Sequence, residues 1–130
     1  MDKAVPVLVI DDFRSMSGII VKILRQIGFT DVDAAQDGAS ALRSLKDKRY
    51  GLVISDWEMQ PMSGPQVIEA LRKDPALASI PVILITTASA RDEEAKKCGA
   101  DGFLTKPFMP AALKSKIDEV AALRAAARPS

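Results

Sequence analysis

Four short apolar runs of the sequence end in residues that carry a charge or a hydroxyl group. The first run ends at Asp11 and Asp12, and later runs end at Asp56, Thr86 and Lys106. A carboxylate at the end of a hydrophobic strand costs desolvation unless a cation or a hydrogen-bond donor meets it. Side chains of these types, gathered in one place, could hold a metal ion with a lysine beside it.

The carboxylates are the strongest chemical signal of the set. Ligands bind at the carboxyl edge of an open parallel sheet, where the strand order reverses. If the strands ending at Asp11 and Asp56 are neighbours, about 4.8 Å apart, these carboxylates and Asp12 crowd together. Two charges ~5 Å apart repel by roughly 3 kcal/mol at an effective dielectric constant of 20. Because every acidic ligand is an oxygen, the pattern predicts a Mg²⁺ site.

A purely structural explanation exists for each residue taken alone. Strands often end in polar residues, and Asp11-Asp12 before a helix is good N-capping chemistry. Thr87 is a second candidate hydroxyl beside Thr86. A functional site is favoured because four strand ends carry complementary groups at the edge where ligands bind.

Two hydrophobic patterns, one typical of buried strands and one typical of amphipathic helices, alternate along the chain. They predict the elements that position these residues. Short apolar runs predict strands, two of them weaker, and apolar stripes of helical spacing predict the segments between them. The predicted strands are Val5–Ile10, Asp31–Ala35, Leu52–Ser55, Val82–Ile85 and Gly102–Thr105; the predicted helices are 14–27, 38–48, 65–73, 90–98 and 110–125. The helix at 90–98 has a poor stripe, so we expect it to be the most exposed and mobile. The alternation predicts an α/β three-layer sandwich around a mostly parallel five-stranded sheet.

Composition narrows the class of protein. The 130 residues are 48% hydrophobic and 27% charged, which is typical of one globular domain. A net charge of +1 gives no reason to expect a nucleic acid or a membrane surface as partner. The single cysteine, Cys98, suits a reducing compartment, and the N-terminal apolar run is too short for a signal peptide. We therefore expect a cytoplasmic protein. The absence of histidine removes His-based metal sites and Ser-His catalysis.

Five motifs, in this order along almost the whole chain, resemble a known family. They are VLVIDDF (7–13), LVISDWEM…MSG (52–64), PVILIT (81–86), GAD (99–101) and FLTKPF (103–108). The sequence is similar to the receiver domain of two-component response regulators, in its single-domain, chemotaxis-regulator-like form. The resemblance implies a flavodoxin-like doubly wound (βα)5 fold with strand order 2-1-3-4-5. It also implies a receiver domain over residues 1–125 and a short tail over 126–130.

The resemblance implies a role for each site residue. Asp56 would be the phosphoacceptor, and Asp11, Asp12 and Asp56 would bind Mg²⁺ together with the backbone carbonyl of Glu58. Lys106 would pair first with the acceptor carboxylate and then with the phosphoryl oxygens.

Two further residues take switch roles in the family. Thr86 would be the hydroxyl drawn toward the phosphoryl group, and Phe103 would be the aromatic residue whose rotamer follows Thr86. The Lys106–Pro107 peptide bond is expected to be cis.

The implied function is phosphoacceptor signalling. A partner histidine kinase or phosphotransfer protein would donate the phosphoryl group, and the altered surface would bind a downstream protein or relay the phosphate. The chain would catalyse its own phosphorylation and dephosphorylation without being an enzyme for a separate substrate. We expect a monomer that binds neither nucleic acid nor membrane.

Three departures from the family pattern concern the loop after Asp56 and the segment before Lys106. Gln60 precedes Pro61, so that the usual proline is displaced and the loop conformation can differ. Glu58 adds a carboxylate that could order an attacking water, pair with Lys106 or weaken anion binding, and we expect an altered dephosphorylation rate. The segment from Thr86 to Lys106 is shorter than usual, so the helix in it is trimmed.

Other functions are compatible with parts of the pattern. The spacing of Asp56 and Glu58 imitates a Mg²⁺-dependent aspartyl-nucleophile phosphatase of the haloacid-dehalogenase type, although that motif normally ends the first strand. A degenerate receiver acting as a binding module would not need the full acidic, Thr and Lys set. A flavodoxin-like nucleotide binder is weaker still, because no Gly-rich phosphate loop follows the first strand.

Overall fold

The computed structural model describes residues 1–87 and 97–127. In chain order, the strands and helices that it bounds in full are β1 (Val7–Ile10), α1 (Arg14–Ile27), β2 (Val32–Ala35), α2 (Gly38–Asp47), β3 (Leu52–Asp56), α3 (Gly64–Lys73), β4 (Val82–Thr86), β5 (Gly102–Thr105) and α4 (Pro110–Ala127). Most of the predicted helix 90–98 lies outside the described residues; only residues 97 and 98 are described there, and they are helical.

The five strands form one parallel sheet in the order β2-β1-β3-β4-β5. The doubly wound fold and the strand order 2-1-3-4-5 are therefore confirmed. β1 starts at Val7, two residues later than predicted, because Pro6 has no N–H to donate to a neighbouring strand. β3 and β4 each continue one residue further than predicted, so Asp56 and Thr86 are the last residues of their strands.

Helices cover both faces of the sheet. Alternate strand residues point to opposite faces: Leu8 and Ile10 pack with the apolar residues of α2 and α3, whereas Val7 and Val9 pack with those of α1 and α4. Burial on both faces explains why the strands read as continuous apolar runs rather than as alternating ones.

The helix boundaries follow local sequence signals. Ser63 and Gln66 form a reciprocal capping box at the start of α3. Gly28 ends α1 with φ 125°, a conformation that a residue with a Cβ rarely adopts. Pro110 is the first residue of α4, as predicted, where its missing N–H costs nothing. Within the described residues, no helix is both long and apolar enough to cross a membrane.

The guanidinium group of Arg72, at the end of α3, ties three segments together. It donates to the carbonyls of Ala78 and Ile80 at 2.9 and 2.6 Å, and twice to the carbonyl of Gly99 at 3.1 and 2.9 Å. It also pairs with the Asp101 carboxylate at 2.9 Å. The same Asp101 oxygen accepts the N–H of Val82 at 2.8 Å, so this group of contacts, the Arg72 clasp, lies at the amino edge of β4 and β5.

Candidate functional site

The register of the central strands brings the acidic residues together at the carboxyl edge of the sheet. β1 and β3 pair in parallel with Ile10 opposite Ser55, so the next residues, Asp11 and Asp56, stand at the same level. One carboxylate oxygen from each of Asp11, Asp12 and Asp56 lies within 4.8 Å of the others. Asp11 and Asp56 are buried and Asp12 is exposed. This acidic pocket is the cluster that the sequence predicts.

Asp11 has one satisfied and one unsatisfied carboxylate oxygen. Its Oδ1 accepts the N–H of Phe13 at 2.9 Å, at the turn into α1. Its Oδ2 is buried and has no hydrogen-bond partner among the described residues. Burial raises the pKa of Asp11 above its usual 3.8, against the lowering effects of the Phe13 N–H and Lys106. N-capping of α1 does not explain Asp11, because the N-cap residue is Phe13, whose side chain makes no capping hydrogen bond.

Asp56 forms an ion pair with Lys106. The Lys106 Nζ lies 3.3 Å from Asp56 Oδ1, and both side chains are largely buried. Burial raises the pKa of Asp56; Lys106 opposes the shift, whereas the charges of Asp11 and Glu58 add to it. The lysine therefore compensates only part of the cost of holding a carboxylate charge here.

Hydrogen bonds from β4 and from within β3 fix the main chain of Lys106 and Asp56. The N–H of Lys106 donates to the carbonyl of Thr86 at 2.7 Å. The Lys106–Pro107 peptide is cis, as the resemblance implied, and Gln60–Pro61 is a second cis peptide that the sequence did not predict. The Ser55 hydroxyl donates to the Asp56 carbonyl at 3.0 Å.

Gly64, the first residue of α3, lies very close to the end of β3. A Cβ at this position would overlap the carbonyl oxygen of Asp56 and would lie 2.8 Å from the Leu84 side chain. The Gly64 N–H donates to the Trp57 carbonyl at 3.0 Å. Only glycine allows α3 to start this close to the end of β3. Gly64 is the glycine of the MSG motif, so the sequence marked the position. The sequence did not show that this glycine packs against the Asp56 carbonyl.

Thr86 is fully buried, and its hydroxyl is hydrogen-bonded. Its hydroxyl donates to Glu58 Oε1 at 2.8 Å. Glu58 is exposed and lies two residues after Asp56. Thr86 is a partner for Glu58 that the sequence did not predict. The sequence suggested that Glu58 could order a water, pair with Lys106 or weaken anion binding.

Phe103 lies on β5, partly buried against the cluster of α2 and α3. The Lys116 Nζ lies 5.7 Å from the centroid of the Phe103 ring, within the range of a cation–π contact. Phe103 is opposite Leu84 in the β4–β5 ladder, and Thr105 is opposite Thr86, so Phe103 stands two residues back from the site edge.

The residues of the acidic pocket fit a hard divalent cation. Three carboxylates supply oxygen ligands within reach of one ion. The buried Oδ2 of Asp11, which has no partner among the residues that the structure describes, is the kind of atom that a metal satisfies. Mg²⁺ commonly binds through a few carboxylates and keeps several of its waters. The exposed position of Asp12 leaves one side of the pocket open to solvent.

A parallel doubly wound sheet with three acids, a lysine and a buried threonine at its carboxyl edge defines the receiver class of signalling domains. Residues 7–118 match the family described as the response regulator receiver domain, and the chain belongs to that family.

Known proteins agree with this assignment. The chemotaxis protein CheY-3 of Vibrio cholerae is 36% identical over 122 residues, which cover 92% of this chain and 94% of that protein. The solved chemotaxis response regulator CheY4 of Vibrio cholerae matches with a TM-score of 0.84 and 31% identity, over 90% of this chain and 98% of that one. The response regulator TrrA of Thermotoga maritima, solved in complex with Mg²⁺ and BeF, matches with a TM-score of 0.79 and 30% identity, over 88% and 97% of the two chains.

Proposed function

We propose that Asp56 accepts a phosphoryl group in a Mg²⁺-dependent reaction and that the chain signals through the resulting change of its surface. The observation that carries this proposal is the acidic pocket itself. It holds a largely buried acceptor carboxylate with a lysine 3.3 Å away and a neighbouring acid with a buried oxygen that no described residue satisfies. Such a pocket is poorly stabilised alone and is suited to a ligand that brings positive charge.

The proposed ligands of Mg²⁺ are the carboxylates of Asp11, Asp12 and Asp56 and the backbone carbonyl of Glu58. The first three are supported by their mutual distances. TrrA, a relative with 30% identity, was solved with Mg²⁺ and BeF, a composition that suits a phosphoryl analogue beside a metal. When bound, the ion supplies charge neutralisation for the phosphoryl oxygens.

The transfer step uses Asp56 as the nucleophile. An ionised oxygen of Asp56 attacks the phosphorus of a phosphohistidine on the partner protein, and an O–P bond forms as the N–P bond breaks. The electron pair of the broken bond stays on the imidazole nitrogen of the donor. Lys106 balances the negative charge on the phosphoryl oxygens, and burial at the end of β3 fixes the line of approach.

The switch in this proposal depends on Thr86 and Phe103. A phosphoryl group on Asp56 adds acceptor oxygens next to the end of β4, where the Thr86 hydroxyl is fully buried. Reorientation of Thr86 would change the space beside β5 and allow the Phe103 ring to move. The altered surface then either docks on a downstream protein or passes the phosphate on.

The phosphodonor is a histidine kinase or a phosphotransfer protein. The receiver domain spans residues 1–125, followed by a tail at 126–130, and the chain acts as a monomer. The chain promotes its own phosphorylation and dephosphorylation, and its charge of +1 gives no basis for nucleic-acid binding. The phosphatase alternative is not better supported, because Asp56 ends the third strand rather than the first.

The test is incubation of the chain with Mg²⁺ and a small-molecule phosphodonor, followed by intact-mass spectrometry. One added phosphoryl group is expected for the wild type, and none for Asp56→Asn or after Mg²⁺ is chelated. Asp118→Asn is the matched control, because Asp118 is an exposed acid on α4 that pairs with Lys114, and this variant should label normally. Equal labelling of Asp56→Asn would overturn the proposal. Steady hydrolysis of a phosphomonoester would favour the phosphatase instead.

A further inference from the structure

The Thr86 hydroxyl is already engaged as a donor in the protein without a phosphoryl group. It donates to Glu58 Oε1 across 2.8 Å, a good distance for an O–H···O bond. A hydroxyl carries one proton and can donate it to one acceptor at a time. Any new acceptor for this proton must therefore displace the Glu58 carboxylate.

A phosphoryl group on Asp56 is such an acceptor. Asp56 and Thr86 are the last residues of the adjacent strands β3 and β4. Glu58 follows two residues after Asp56, and its charge helps to raise the Asp56 pKa, so the acceptor carboxylate lies within its field. Glu58 thus opposes an anion at Asp56 by repulsion and also holds the hydroxyl that the anion would recruit.

We propose that Glu58 is an internal competitor for Thr86, a positioning residue that holds the switch hydroxyl until a phosphoryl group displaces it. The proposal rests on the assignment of Asp56 as acceptor and Thr86 as its switch partner. Release of Glu58, an exposed side chain on the loop after β3, would accompany every switching event. The loop of residues 57–63 would then change its surface together with β4.

Repulsion and competition predict different patterns of coupling. Repulsion between Glu58 and an anion at Asp56 acts through space whether or not residue 86 has a hydroxyl. Competition operates only through the Thr86 hydroxyl, so it disappears when that hydroxyl is removed. A double-mutant cycle on the two residues separates the two effects.

The cycle uses Mg²⁺ and beryllofluoride, a phosphoryl analogue, as the ligand and the fluorescence of Trp57 as the signal. Trp57 is the single tryptophan of the chain and follows Asp56 directly. Glu58→Ala should tighten beryllofluoride binding about tenfold in the Thr86 background, but only about two- to threefold with Thr86→Val, which removes the hydroxyl at nearly constant shape. Glu58→Gln, which is neutral but can still accept the proton, should lie between wild type and Glu58→Ala.

An equal factor in both backgrounds would overturn the competitor role and leave repulsion as the whole effect. A wild-type protein that does not bind beryllofluoride would refute the phosphoacceptor function itself, which is a separate failure. A ligand-free measurement adds an independent check: the Thr86 methyl resonance and χ1 coupling should change in Glu58→Ala. They should not change in Glu69→Ala, which removes an exposed acid of α3 paired with Lys73. An unchanged Thr86 rotamer in Glu58→Ala would also overturn the proposal.

Discussion

The two edges of the sheet each place a cation beside a largely buried carboxylate, but they satisfy their polar atoms to different degrees. At the amino edge, the Arg72 guanidinium makes five hydrogen bonds to backbone carbonyls and to Asp101. At the carboxyl edge, Lys106 reaches Asp56 across 3.3 Å, and the Oδ2 of Asp11 has no partner within the described part of the chain. Both pairs are similarly shielded from solvent.

The difference separates a fully hydrogen-bonded ion pair from an incompletely compensated one, which the proposed function would leave available for a ligand. In a low-dielectric interior, a fully hydrogen-bonded polar network rigidifies the fold, whereas an incomplete one costs stability. The Arg72 clasp contributes rigidity because its charges and carbonyls are paired. The acidic pocket is incompletely compensated, and under the proposed function this lower stability leaves room for a cation and a phosphoryl group; perturbed carboxylates of this kind are typical of functional sites.

The largest expected effect comes from removing the clasp. Arg72→Ala leaves the Asp101 carboxylate and three carbonyl groups without this donor, and we expect a loss of about 3 kcal/mol in the free energy of unfolding by urea. The control is Lys73→Ala, which removes only an exposed pair with Glu69 and should cost less than about 0.5 kcal/mol. Equal losses of stability in the two variants would show that the Arg72 clasp does not anchor the amino edge of the sheet.

The next effect tests whether the acidic pocket depends on close backbone packing. Gly64→Ala places a Cβ against the Asp56 carbonyl, so we expect a loss of about 2 kcal/mol and slower phosphoryl labelling. Gly18→Ala is the matched control on α1, where nothing lies within 4 Å of the added Cβ. That change should stabilise the protein by up to about 1 kcal/mol through helix propensity. Normal stability and labelling in Gly64→Ala would show that the approach of α3 is not required.

The smallest effect has the opposite sign and is set by pH. The folded state raises the Asp56 pKa above 3.8, so the wild type is penalised as the pH rises through the raised value, and the penalty is absent below 3.8. In metal-free buffer, Asp56→Asn should therefore be more stable by about 1 kcal/mol at pH 7, roughly 3 °C in Tm. The gain should shrink as the pH is lowered toward 4.

The comparison variant for the pH series is Asp118→Asn, at an exposed position on α4. It should change stability by less than about 0.5 kcal/mol and should not show the trend of Asp56→Asn. A stability gain of Asp56→Asn that does not vary with pH, or a loss at pH 7, would contradict the view that the pocket is destabilised by its own charge.

The sequence predicted what depends on local pattern and on the ends of strands. The apolar stripe over residues 14–27 predicted α1 with the bounds that the structure shows. The acidic residues at the strand ends lie together because parallel strands align their carboxyl ends. The Arg72 clasp was not predictable in this way, because it joins residues 27 and 29 positions apart through a side chain that looks like any surface arginine. The contact between Glu58 and Thr86 depends on the exact path of the loop after β3, which no periodicity encodes.

The in-register pairing of β1 and β3 also limits how this protein can change over evolutionary time. Strand side chains alternate between the two faces of the sheet. A single residue inserted or deleted inside β3 would therefore turn the Asp56 side chain to the opposite face, away from Asp11. Length variation is therefore excluded from the strands and better tolerated in those segments between them that hold no site residue. Relatives of this chain can diversify by insertions and deletions in those segments while the spacing of residues within each strand stays constant.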